Sequence, residues 1–176
     1  MQKNILWMAL ILSLVAGCHS PSSSTQRPFT SLDLAHLPLN TSLPMPVHGV
    51  KRQQLQDTWG ASRGQGRQHE GIDIFAPRGT KIYSVTHGII TDLRDTALGG
   101  KVIWIRGPSN SWHYYAHLDG YAAHLKIGNA VQQGQVIGYV GNSGNARHTR
   151  PHLHYGLYLQ GKGRGAVNPY PYLRSL

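Results

Sequence analysis

Cysteine is nearly absent. Cys18 is the only one in 176 residues, which excludes an intramolecular disulfide and leaves the fold to core packing, with a bound metal as the other available staple. Acidic side chains are also scarce, 7 against 17 Lys and Arg, so the formal charge is +10 at pH 7. Only 14% of residues are charged, and no segment of a dozen residues sustains a clean 3.6-residue apolar period, which argues against a helical bundle. Nor is any apolar run long enough, and suitably placed, for a transmembrane helix of a mature protein. What the chain does have is glycine (21 residues), nine Tyr and four Trp, a composition that suits one turn-rich β domain.

The longest apolar stretch is residues 5–16, interrupted only by Ser13 and preceded by Lys3. A dozen apolar residues behind a short positive region match the core of a signal peptide. The stretch ends in Leu14, Val15, Ala16, Gly17 and Cys18, with small residues where a peptidase must approach the backbone. This resembles the lipobox of bacterial lipoproteins, which implies a diacylglycerol on the Cys18 thiol and cleavage after residue 17. His19 stands where an Asp commonly retains such proteins in the inner membrane, so the expected location is the outer membrane, facing the periplasm, with the outer face of the cytoplasmic membrane as the alternative. Residues 18–46 then read as a lipidated Cys and a flexible tether, rich in Ser near its start and broken by Pro28, Pro44 and Pro46.

From about Val47 short runs of β-branched and aromatic residues alternate with Gly, Asn, Asp and Pro. Residues 81–85, 88–91, 101–105, 112–117, 135–140 and 153–158 qualify as strands. The expected fold of residues 47–176 is therefore all-β and antiparallel, with few or no helices. Residues 76–90 and 126–138 look faintly alike, each setting a turn before a strand and then another Gly and strand.

Eleven histidines are many for this length. His69 and Asp73 lie four apart around Gly71, and on extended chain an even spacing puts both side chains on one face. His152 and His154 repeat that logic two apart, and His117 closes the aromatic run 114–117. Two imidazoles, a carboxylate and an open position are a recurring ligand set for catalytic zinc. Glu70 invites comparison with the helical zinc-protease motif, but that motif needs a second His where Asp73 stands, and Gly71 would weaken the helix. His113, four before His117, would share its face in a regular strand and so reach the same groove. Trp59, Trp104 and Trp112 read as core or rim aromatics, and the remaining histidines as exposed or turn residues.

Taken together, Trp59 and Gly60 through Thr80, Tyr115 to Leu118, the Gly-spaced run 128–144 and Pro151 to Tyr155 resemble the lysostaphin- and LytM-type zinc metallopeptidases, in that family's order. The resemblance covers roughly residues 47–171. It implies a barrel or sandwich of the duplicated hybrid motif type, with the active site in a groove along the sheet. Carried over, His69, Asp73 and His154 would bind one zinc per chain. His117 and His152 would be the catalytic pair, one taking a proton from the attacking water and the other orienting or stabilising the tetrahedral intermediate. Tyr115, Arg147 and Arg150 would border the groove with His113. The chain departs from the family in residues 145–151, which are longer and more basic, and at Gly156, where an acidic residue is common.

The resemblance implies an endopeptidase acting on stem peptides or cross-links of peptidoglycan, whose carboxylates would attract a basic protein. The alternative is a catalytically silent module of the same type that activates a separate cell-wall amidase. Such modules lack part of the His/Asp/His set, whereas this chain retains all five residues. Nucleic acid, the other usual partner of a basic chain, is not expected of an exported protein without a recognisable binding motif.

Overall fold

The computed structural model describes residues 30–175. The leader, Cys18 and the first part of the expected tether lie outside the described residues. In chain order the elements are α1 (Ser31–His36), β1 (Ile72–Phe75), β2 (Lys81–Tyr83), β3 (Gly88–Thr96), β4 (Gly100–Arg106), β5 (Trp112–Tyr121), β6 (Ala130–Val131), β7 (Val136–Val140), β8 (His152–Tyr158), β9 (Ala166–Val167) and α2 (Tyr170–Arg174). All nine strands join one sheet, every pair antiparallel, and no described helix is long and apolar enough to cross a membrane. The all-β antiparallel expectation holds.

The strands form because their side chains alternate between two apolar surfaces. Ile103 and Ile105 of β4, Tyr115 of β5, and Leu153, Tyr155 and Leu157 of β8 point into the main core with Ile72, Ile82, Ile90 and Ile137. Their neighbours Val102, Trp104, Ala116 and Tyr158 form a smaller cluster apart from that core. A period of two thus buries both faces around β4, β5 and β8, and the polar site residues must fit into the second, thinner layer.

The two similar segments become β2–β3 and β6–β7. They pair crosswise, β2 with β7 and β3 with β6, so each supplies the other's edge partner. β5 is the hub. Along one side it pairs with β4 over Trp112 to Leu118; along the other it pairs with β8 over Trp112 to Ala116 and then with β7 over Leu118 to Tyr121. The handover falls at His117.

Residues 30–46, expected as tether, pack against the domain instead. Thr30 and Asp33 form a reciprocal capping box that starts α1, and Leu34 is fully buried. Ser109 Oγ donates to the Leu37 carbonyl and accepts from Leu39 N–H, while Leu43 enters the main core and donates its N–H to Tyr172. Of the five leucines in this segment only Leu34 and Leu43 are fully buried, and their spacing follows no strand or helix period, so this docking was not legible in the sequence. Pro44 and Pro46 end the segment, and the Pro46 carbonyl accepts from Tyr83 N–H.

Candidate metal centre

The second face of the sheet opens into a cleft of about 550 Å³ lined by His69, Asp73, His117, His152 and His154. Strand register explains the convergence. Asp73 on β1 lies directly opposite His154 on β8, and Phe75 opposite His152. His69 precedes β1 in a short hairpin whose backbone bonds link Gly60 with His69 and Arg63 with Arg67. Gly71 lets this hairpin lie against β8, since a Cβ there would come within 2.6 Å of the Tyr155 carbonyl and 2.7 Å of the His154 ring.

Three ligand atoms meet. His69 Nε2 is 2.8 Å from His154 Nδ1 and 3.0 Å from Asp73 Oδ1, and His154 Nδ1 is 3.2 Å from the same oxygen. His69 Nδ1 lies 2.7 Å from the Thr58 carbonyl, which can only accept, so the ring proton sits there and Nε2 presents a lone pair. With neutral imidazoles at most one proton, on His154 Nδ1, is available to these three atoms. At least one of the close contacts then sets lone pair against lone pair, which a cation relieves and hydrogen bonding does not. The donor set fits a metal ion. The carbonyl on the far side of His69 is the usual outer partner of a metal-binding imidazole. Burial pushes the Asp73 carboxyl pKa up, but the imidazoles of His154 and His69 against Oδ1 outweigh it and hold the carboxyl well below its ordinary range.

His117 and His152 complete the cleft, their rings 5.0 Å apart edge to face. His117 Nδ1 donates to the Ser143 carbonyl at 2.9 Å and His152 Nδ1 to the Arg150 carbonyl at 2.8 Å, which leaves both Nε2 atoms unprotonated in the neutral rings. His152 Nε2 lies 3.9 Å from Asp73 Oδ1. Burial, then the nearby His154 and His152, lower the His117 pKa to about 4.

His117 reaches the cleft through a β-bulge. Ile103 faces Tyr115 and Lys101 faces Leu118, so one residue of β4, Val102, opposes two of β5, Ala116 and His117. His117 takes φ +63°, and its N–H donates to the Gly99 carbonyl. The extra residue turns His117 to the same side as Tyr114 and Ala116, which also line the cleft, while Leu118 returns to the core.

That bulge overturns two groove expectations. His113 and Tyr115 precede it and point into the core, both fully buried. Ser111 Oγ donates to the Pro108 carbonyl and so accepts from His113 Nε2–H; the Tyr155 hydroxyl then donates to His113 Nδ1. Burial lowers the His113 pKa to about 3. Tyr115 accepts from the Val85 N–H. The loop 145–151 does border the cleft, but through Asn145, Ala146 and Thr149. Arg147 is exposed and does not line it. Arg150 lies over the Phe75 ring at 5.2 Å and faces a smaller hollow of about 270 Å³ beyond it. A loop's sequence does not encode which way its side chains leave the backbone, so the expected groove role of both arginines does not hold.

Several site residues carried no sequence signal. Thr58 accepts from the Asp73 N–H with its hydroxyl and from His69 with its carbonyl. Ser143 acts through its backbone, and Tyr114 packs edge-on against His154 with centroids 5.8 Å apart. Arg63 donates to Asp73 Oδ2 at 2.5 Å. Glu70 is exposed at the cleft edge and bonds none of the three ligand candidates.

Comparison with known proteins agrees with this geometry. Residues 67–169 match the family model described as Peptidase family M23. The chain is 41% identical over 142 residues to the L-Ala--D-Glu endopeptidase of Bacillus subtilis, covering 76% of this chain and 43% of that protein. It therefore spans less than half the length of that relative. Among solved structures, the catalytic domain of lysostaphin from Staphylococcus simulans superposes with TM-score 0.62 and 28% identity, covering 70% of this chain and 96% of that domain. A putative glycyl-glycine endopeptidase LytM from Ruminococcus gnavus gives TM-score 0.62 with 34% identity, covering 81% of this chain and 60% of that one. With residues 67–169, more than half its length, matched by the family model, and with a His/Asp/His group able to hold a metal inside that range, the chain belongs to peptidase family M23, a family of metallopeptidases.

Proposed function

We propose that the protein is a zinc-dependent endopeptidase that hydrolyses peptide bonds in peptidoglycan stem peptides or cross-links. The observation that carries this reading is the convergence of His69 Nε2, Asp73 Oδ1 and His154 Nδ1 beside two further imidazoles, His117 and His152, whose Nδ1 protons are committed to backbone carbonyls. Retention of all five residues in one cleft favours an enzyme over a silent amidase-activating module.

His69, Asp73 and His154 would hold the zinc. When bound, the metal supplies Lewis-acid polarisation of the scissile carbonyl and acidification of water. His117 and His152 present unprotonated Nε2 atoms to the cleft, so either ring can take the proton of the attacking water. The protonated ring is then a cation beside the developing negative charge and can return its proton to the leaving amine. Low basicity of His117 keeps it neutral, and so able to accept, at physiological pH.

The location is part of the same proposal. The lipobox-like run ending at Cys18 supports a lipid anchor in the cell envelope, facing the wall from the outer membrane, with residues 30–175 as the folded catalytic unit. The test is digestion of purified sacculi by the soluble protein from residue 19 onward, with and without a chelator, and identification of released fragments by mass. Chelator-sensitive loss of peptide cross-links with intact glycan strands is expected. A folded, zinc-loaded protein that releases nothing would contradict the enzymatic reading.

A further inference from the structure

We propose that Arg63 is a positioning residue that makes Asp73 a one-oxygen metal ligand. The two carboxylate oxygens of Asp73 have different surroundings. Oδ1 faces His69 Nε2 at 3.0 Å and His154 Nδ1 at 3.2 Å, whereas Oδ2 is turned to Arg63 and accepts from its guanidinium at 2.5 Å. The Asp73 side chain is only 10% exposed, so Oδ2 has little access to water as a substitute partner.

Arg63 suits this task because of where it sits. It shares with His69 the hairpin of residues 60–69, closed by the bonds Gly60 N to His69 O, His69 N to Ala61 O and Arg63 N to Arg67 O. The turn at its tip holds Gln65 at φ +66° and Gly66 at φ +71°. One rigid element therefore delivers both a ligand candidate and the group that fixes the neighbouring ligand's orientation. Thr58 secures the other end of Asp73 by accepting its backbone N–H. With the peptide and Oδ2 both held, rotation of the carboxylate about its last bond is blocked, and Oδ1 alone remains in the ligand triangle. A planar, weakly hydrated guanidinium can do this half-buried, where an ammonium would keep its water.

The inference rests on the metal-site reading, and the experiment separates the two. Zinc affinity is measured on the wild-type protein and on Arg63→Gln and Arg63→Lys by competition against a chromogenic chelator, with thermal unfolding of each apoprotein as the control for folding. Loss of an outer partner of this kind typically weakens metal binding about 10–100-fold, and that drop is expected in Arg63→Gln. Arg63→Lys, which keeps the charge but loses the planar guanidinium, is expected to recover only part of it, with both apoproteins still folded at the temperature of the titration. Equal zinc affinity in wild type and Arg63→Gln would overturn the positioning role while leaving the metal site intact. Absence of zinc binding by the folded wild type would instead remove the reading on which it rests.

Discussion

His113 and His117 stand four residues apart on one strand and live in opposite regions of the molecule. Both are buried, and burial lowers the basicity of both. His113 is satisfied at each nitrogen, by the Ser111 and Tyr155 hydroxyls, and so is chemically closed. His117 is satisfied at Nδ1 alone, by a backbone carbonyl, and its Nε2 faces the cleft. Burial therefore does not distinguish a core histidine from a working one. The difference is whether the second nitrogen has a fixed partner, and a one-residue bulge decides it.

The widest break in that comparison comes from the cleft side. Asp73→Ala and His154→Ala should lose metal and reduce turnover to background, because each removes one of three donors. Replacing His117 or His152 with Ala should leave the metal in place while lowering kcat by about 10²–10⁴-fold, the usual contribution of a positioned proton-transfer group. Metal content and single-turnover cleavage measured on the same samples separate the two classes. Stoichiometric zinc in Asp73→Ala would sink the ligand assignment.

The core side should answer in stability alone. His113→Phe strands the Tyr155 hydroxyl in the core, at a cost of about 1–3 kcal/mol in unfolding free energy, with metal content unchanged. The same replacement should also change the pH dependence. The His113 pKa is about 3 when folded against an ordinary value of 6.5, so between those values the unfolded chain binds a proton that the folded one does not. Stability from its neutral burial is fully present above pH 6.5 and is lost as pH falls toward 3. Denaturation midpoints of His113→Phe should therefore fall less steeply over that window than those of the wild type. An unchanged slope would show that His113 does not titrate between the two states.

The same pair shows what the sequence can carry. Asp73, His152 and His154 were legible because β1 and β8 are regular, and pairing of Asp73 with His154 sets them on a common side; His69 joins them from the hairpin before β1 rather than by strand alternation. His117 was legible only through the family pattern, since regular alternation wrongly places it with His113. A bulge arises from a register mismatch with β4, which no local run of β5 encodes. Thr58 and Ser143 were invisible for another reason, because they act through carbonyls that every residue type possesses. Arg63 was one basic residue among 17, and only the fold of its hairpin sets it against Asp73. Residues 30–46 were misread because Leu34 and Leu43 reach the domain one at a time, without the periodicity that announces an element.

The most direct test of the central claim is a zinc titration of the apoprotein with cross-link cleavage in sacculi as the readout. Cleavage should be absent without metal and should rise to a plateau at a single equivalent, with His117→Ala binding zinc equally but remaining flat. Cleavage by the metal-free protein, or full activity in His117→Ala, would contradict the account.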